Sequence, residues 1–146
     1  MGVIEGVLLT PLKIIDTAGG DVLHALKQDD PGFNAFGEAY FSTVNAGAIK
    51  AWKRHHEMVL NLVVSVGAVR FVLFDDRPDS TSFRKYQEII LSRSNYQRLT
   101  VPPMLWMGFQ GVNVGTNMLL NIASIPHRSN EMDRLALEEI EYYWEK

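Results

Sequence analysis

Apolar residues recur along this chain in short runs, some alternating with polar residues and some unbroken, and glycine, asparagine, aspartate and proline separate them at close intervals. That spacing predicts an antiparallel β-sandwich or barrel. Residues 3–10 read as a first strand stopped by Pro11, whose ring nitrogen cannot donate to a ladder. Residues 13–15 and 22–26 are short extended pieces on either side of a turn at Gly19-Gly20. Residues 38–44 carry the aromatic and β-branched content of a strand, and Asn45-Ala46-Gly47 turns the chain into residues 48–53. Strict alternation in that last run places Ile49, Ala51 and Lys53 on one face and Lys50 and Trp52 on the other.

Residues 58–66 and 69–74 are nearly continuous apolar runs, and the Gly67 between them predicts a hairpin at the centre of the core. Residues 86–91 and 96–101 make another expected pair around residues 92–95. Pro102-Pro103 introduces residues 104–109, a candidate pocket wall, and residues 117–125 read as the last strand. From Asn130 the spacing changes: Ala136, Leu137, Ile140, Tyr143 and Trp144 recur at three- and four-residue steps. This predicts a C-terminal amphipathic helix, capped by Asn130 or Asp133, with Glu138, Glu139 and Glu141 in solvent.

Composition narrows the chemistry. The chain has 146 residues, 47% hydrophobic and 21% charged, which fits one globular domain spanning 1–146. Fourteen Lys+Arg against 17 Asp+Glu give a formal net charge of −3, so no global field for nucleic acid is expected. Without cysteine, disulfides, thiolate catalysis and sulfur-rich metal sites fall away, leaving His, Lys, Tyr and carboxylates. No stretch reaches the roughly 20 apolar residues of a membrane span, and no secretory signal opens the chain, so a cytoplasmic, membrane-free protein is expected.

The densest ionisable cluster is Lys50-Ala51-Trp52-Lys53-Arg54-His55-His56-Glu57. Lys and Arg can hold phosphates, Trp offers a face for a base or sugar, and a histidine can move a proton near neutral pH. The plain alternative is an exposed basic loop. Neighbouring strand residues point to opposite faces, so His55 and His56 cannot meet one ion there, and no bound metal is expected. Asp75-Asp76, followed by Arg77 and Pro78, reads as a solvated turn rather than an acid/base pair. Phosphate-binding glycine loops and the G-x-S-x-G elbow are absent.

Several segments together resemble the cupin family of dTDP-4-dehydrorhamnose 3,5-epimerases. They are Gly6-Val7-Leu8-Leu9-Thr10-Pro11 with Asp16 and Gly19-Gly20, then Leu62 through Val69, and Asp76-Arg77-Pro78-Asp79-Ser80-Thr81-Ser82-Phe83 against the D-x-R-x-x-S-P-T-F signature. Val101 to Phe109 and Glu131 complete the order. The resemblance implies an all-β double-stranded β-helix, the cupin jelly roll, here with the C-terminal α-helix. The family's R-G-L-H motif falls on Lys50-Ala51-Trp52-Lys53, which puts lysine at the base position. Met107 stands where the I-P-x-G-F-A-H-G-F motif has its histidine, and the tyrosine acid falls near Leu120. The related dTDP-sugar 3,4-ketoisomerases carry R-G-x-H-A-H at the same strand, and His55 matches its second histidine.

What the resemblance implies is proton transfer next to a ketone on a dTDP-4-keto-6-deoxyhexose, without metal or cofactor, in deoxysugar or surface polysaccharide synthesis. His55, His56 and Lys53 are the expected catalytic residues, and Lys50, Trp52, Arg54, Asn61, Trp106 and Met107 the substrate-binding ones. A homodimer formed through the sheets is also implied. The alternatives are a cupin that binds a sugar nucleotide or carbohydrate without catalysis, and a purely structural or interaction cupin.

Overall fold

Two facing sheets make up most of the protein, seen in a computed structural model that describes residues 3–145. The strands are β1 (Leu8–Pro11), β2 (Ile14–Ile15), β3 (Val22–Leu23), β4 (Glu38–Thr43), β5 (Ile49–His55), β6 (Leu60–Val66), β7 (Ala68–Asp75), β8 (Tyr86–Ser92), β9 (Gln97–Val101), β10 (Leu105–Gly111), β11 (Met118–Ala123) and β12 (Met132–Arg134). One five-stranded sheet runs β1-β9-β6-β11-β4, the other runs β12-β5-β10-β7-β8, and β2-β3 stand as a small separate pair. The all-β, cupin-like expectation is met, while β1 begins five residues later than the spacing suggested because Glu5 and Gly6 form a turn.

Alternation explains the core. Leu60, Leu62 and Val64 of β6, Leu99 and Val101 of β9 and Leu119 of β11 meet Val69, Phe71 and Leu73 of β7, Leu105 and Met107 of β10, and Ile89 and Leu91 of β8. Strand β7 is apolar on both faces because it serves two clusters: Val72 and Phe74 point away from the sandwich interior into a second cluster with Trp52, Trp106, Ile140 and Trp144.

Neither expected hairpin forms. Strand β6 pairs with β9 and β11, whereas β7 pairs with β10 and β8, so the turn at Gly67 carries the chain from one sheet to the other. Gly67 has φ of 73°, and a Cβ there would lie 2.3 Å from the Thr116 carbonyl oxygen. Strands β8 and β9 likewise part into opposite sheets, meeting through an isolated Ser92–Asn95 bridge at their turn. A glycine or asparagine turn between two apolar runs specifies a reversal. Whether the runs then pair or face each other across the core depends on strands distant in sequence.

The C-terminal helix is replaced by an extended strap, and β11 is followed by a further strand. Ser129–Glu131 and Leu137–Glu139 are single 3-10 turns, β12 lies between them, and no α-helix occurs among the described residues. Ile140 and Trp144 are buried and Tyr142 is partly so, whereas Leu137 is 40% exposed and Tyr143 68%. Burial therefore has a period of two, because the chain lies flat across the apolar outer face of the second sheet. Trp144 packs against Trp52 and Tyr142 at centroid distances of 5.6 and 5.2 Å. Gly108 makes room: a Cβ there would come within 3.2 Å of the Trp144 indole and 2.5 Å of the Ala51 Cβ.

Asp75 is not in a solvated turn. Its fully buried carboxylate accepts hydrogen bonds from Arg77 Nε (2.9 Å), Ser80 Oγ (2.6 Å) and Ser82 Oγ (2.6 Å). Burial by itself would raise its pKa, but these donors outweigh it and hold the carboxyl well below the usual carboxylate range. Arg77 also donates to the Glu5 carbonyl oxygen at 2.7 Å, tying the β7–β8 loop to the segment before β1. The signature around residues 76–83 thus has a structural basis in its buried neighbour.

If the strap is part of the fold, Trp144→Ala lowers unfolding free energy by about 3–5 kcal/mol, the range for emptying a buried aromatic site. Denaturant unfolding measures this, and a loss below about 1 kcal/mol would mean the sandwich stands without its cover.

Candidate functional site

The site is set by one irregularity between β5 and β10. Met107 pairs with Lys53 and Phe109 with Lys50, so three steps along β5 match two along β10. Ala51 and Trp52 together oppose Gly108, the arrangement of a β-bulge. The alternation of side chains resets across it. Lys50, Lys53 and His55 all line a cavity between the sheets, whereas Trp52 and Arg54 lie on the outer face with Trp106. The strict alternation read from the sequence, which separates Lys50 from Lys53, is overturned by this extra residue.

The cavity has a volume of about 460 Å³, within the roughly 300–1,000 Å³ typical of small-ligand sites. Its second-sheet wall carries Lys50, Lys53, His55, Met107 and Phe109, joined by Arg134, which pairs with Lys53 across the β5–β12 ladder. The facing wall carries Tyr40 and Ser42 of β4 and Asn121 of β11, above Leu60, Leu62 and Leu119. Lys50 donates to the Thr43 carbonyl oxygen at 2.8 Å, bridging the two walls at the β4 end. Burial, and secondarily the charge of Arg134, lowers the pKa of Lys53 from its ordinary value. Burial, and secondarily Glu38, raises that of the Tyr40 phenol.

His55 is held by a buried carboxylate. Glu131, whose side chain is 1% exposed, places Oε1 2.7 Å from His55 Nδ1, and its Oε2 accepts the backbone N–H groups of Glu57 and Met58, each at 2.8 Å. Burial would raise the Glu131 pKa, but the Glu57 amide, His55 and the Met58 amide outweigh it and hold the carboxyl at about 2. An ionised carboxylate has no proton to give, so Nδ1 is the donor in this pair. In the neutral ring Nε2 then keeps its lone pair and is the nitrogen able to accept a proton.

The expected site residues divide. Lys50, Lys53, His55 and Met107 meet in the cavity. Trp52 borders it, but its 2% exposed indole is occupied by Trp144 and donates to the Leu137 carbonyl oxygen at 3.1 Å, leaving no face for a base. Arg54 pairs with Asp133 at 2.6 Å and stacks on Trp106 at 4.6 Å, and His56 contacts the same carboxylate at 3.0 Å, so none of these three reaches the cavity. Asn61 points to the other side of its sheet, where it donates to the Gly32 carbonyl oxygen and accepts from Thr100 Oγ1 at 2.6 Å. The cavity also takes in Tyr40, Asn121 and Arg134, which lie outside the basic cluster. The period-two pair Tyr40 and Ser42 is the sequence signal for the first, whereas the three- and four-residue spacing of the tail masks the strand that carries Arg134. Among the described residues, no three His, Asp or Glu side chains converge in a manner able to hold a metal ion, and no helix is long and apolar enough to cross a membrane.

The Glu131 carboxyl, at about 2 when folded against an ordinary 4.5, stabilises the folded state fully above pH 4.5, and this contribution is lost as pH falls toward 2. Its size is on the order of 3 kcal/mol. Denaturant unfolding at pH 5 and pH 2.5 should therefore show a smaller loss of stability in Glu131→Gln than in the unmodified protein, and parallel losses would rule the contribution out.

No family model matches the chain. The crystal structure of a dTDP-sugar isomerase from Desulfovibrio desulfuricans G20 superposes with a TM-score of 0.93 at 38% identity, covering 97% of this chain and 92% of that one. A dTDP-4-dehydrorhamnose 3,5-epimerase from Bacillus anthracis strain Ames, solved with TDP and pyrophosphate, shares the fold with a TM-score of 0.83 at 19% identity over 96% and 85% of the two chains. Among curated proteins, a probable low-salt glycan biosynthesis epimerase, Agl13 of Haloferax volcanii, is 27% identical over 84 residues, which is 57% of this chain and about half (54%) of that protein's length. With 38% identity over nearly its whole length, and with a carboxylate-held histidine in the cavity between its sheets, the chain belongs to the RmlC-like cupin family of dTDP-sugar epimerases and isomerases.

Proposed function

We propose that this protein is a sugar-nucleotide epimerase or isomerase that moves a proton next to the ketone of a dTDP-4-keto-6-deoxyhexose-type substrate in deoxysugar or polysaccharide synthesis. The observation that carries this reading is a cavity with a proton-accepting histidine on one wall and a phenol on the other. In the epimerase form, His55 Nε2 takes the proton from the carbon beside the carbonyl, and the C–H electron pair flows to the carbonyl oxygen as an enolate. Lys53, as ammonium, stabilises that oxyanion. Tyr40 then delivers its proton to the opposite face of the same carbon, which restores the ketone with inverted configuration, and solvent returns the proton from His55 to Tyr40. Lys50 and Arg134 supply positive charge for the diphosphate, against a chain whose net charge is negative.

The 38% identical relative described as a dTDP-sugar isomerase favours a second form of the same chemistry. There the proton leaving C3 returns to C4 through an enediol while the carbonyl moves from C4 to C3, and one strand bearing His55 and Lys53 suffices. A cupin that binds without catalysis would need the cations but has no use for a buried carboxylate fixing the tautomer of His55. The enzyme acts in the cytoplasm as a single domain and a homodimer, for which the exposed Phe36 and Phe41 offer an apolar surface.

Incubation of a dTDP-4-keto-6-deoxy sugar in deuterated water tests the reading. Deuterium at C3 or C5 with the ketone kept at C4 identifies the epimerase, a C3 ketone identifies the isomerase, and no exchange with saturable dTDP binding identifies the binder. His55→Ala should lower kcat by about 100- to 10,000-fold in either form and Tyr40→Phe by a similar factor in the epimerase form, and Lys50→Ala should weaken dTDP binding by about tenfold. Undiminished turnover in His55→Ala excludes it as the base.

A further inference from the structure

Tyr40 and Asn121 stand directly opposite each other across the β4–β11 ladder, and both line the cavity. Asn121 Nδ2 donates to the Tyr40 phenol oxygen at 3.2 Å. Asn121 is 8% exposed, and its Oδ1 is buried without a hydrogen-bond partner. Buried polar atoms are nearly always paired, so this orphan needs a reason. An aliphatic side chain would fill the position without it, as Leu119 does two residues earlier in the same wall. A carboxamide differs from every aliphatic choice in presenting a donor on one side and an acceptor on the other.

We propose that Asn121 is a positioning residue for Tyr40, meeting the phenolate with Nδ2–H and the neutral phenol with Oδ1 after a half-turn of the amide, so that the phenol can lose and regain its proton inside the cavity. Each orientation leaves one amide atom unpaired, so neither locks the side chain. The inference rests on Tyr40 acting as the acid. Its surroundings set the need: burial and Glu38 on its own strand both disfavour the phenolate, while the cations of Lys50, Lys53 and Arg134 on the facing wall favour it and His55 there is the other titratable group. Strand β11 brings no titratable group of its own. An uncharged amide at 121 therefore serves both protonation states, where a carboxylate would penalise the phenolate and a leucine would serve neither.

Labelling with 3-fluorotyrosine and following ionisation by 19F NMR in the ligand-free protein tests this, with Tyr40 assigned by the signal missing in Tyr40→Phe. The midpoint of Tyr40 should rise by about one pH unit or more in Asn121→Leu, which removes both hydrogen-bonding groups. It should rise also in Asn121→Asp, which keeps size and acceptor but loses the donor. In both variants kcat should fall about tenfold with KM little changed, and the limb of the kcat pH profile that reports Tyr40 should move in the same direction as the NMR midpoint. A midpoint unchanged in both folded variants overturns the assignment of Asn121. Full turnover in Tyr40→Phe beside a shifted midpoint overturns instead the acid role on which it rests.

Discussion

The site depends on a mismatch of register: between Lys50 and Lys53, β5 spends one more residue than β10 does between Phe109 and Met107. Were the two strands in simple alternation, Lys50 would point out of the sandwich whenever Lys53 and His55 pointed in. The extra residue puts all three cationic or titratable groups on the cavity face and leaves Trp52 and Arg54 to the outer one. Gly108, opposite the bulge, has no side chain to collide with Ala51 or with the Trp144 ring above it. Chemistry inside and packing outside are thereby set by the same few residues.

The outer packing explains why the tail is extended. Trp52, displaced outward, needs cover, and Trp144 and Ile140 provide it together with Val72, Phe74 and Trp106. The same segment reaches this position by way of Glu131 and β12, which deliver a carboxylate to His55 and Arg134 to Lys53. Removing the strap would therefore expose apolar surface and also take away the residues that meet His55 and Lys53. Stability and site organisation are coupled through one stretch of about 15 residues, as expected where a second layer of contacts orients the groups that act.

In the proposed mechanism the two walls divide the proton chemistry. The second sheet supplies the cations and a histidine whose tautomer follows from an ionised Glu131. The first sheet supplies the phenol of Tyr40 beside the amide of Asn121. The family pattern expects the tyrosine near position 120 of β11. In this cavity the phenol belongs to Tyr40 on the neighbouring strand β4, at the residue registered with Asn121, and in the proposed mechanism it takes the place of that tyrosine.

By itself the sequence determined the class of fold and most of the strands, because alternating and unbroken apolar runs punctuated by Gly, Asn and Pro have few other solutions. It also concentrates basic and titratable groups between Lys50 and His56, of which Lys50, Lys53 and His55 line the cavity. It could not say which members of that cluster share a face, since a bulge is defined by the partner strand, nor that Arg54 and His56 are taken up by Asp133. It read the tail as a helix because Ala136, Leu137, Ile140 and Tyr143 fit a period of three to four. A flat apolar sheet waiting to be covered imposed a period of two. Which runs pair and which face across the core, and that Tyr40 meets His55 across one cavity, were decided by contacts between residues far apart along the chain. Local propensity carries no information about those contacts.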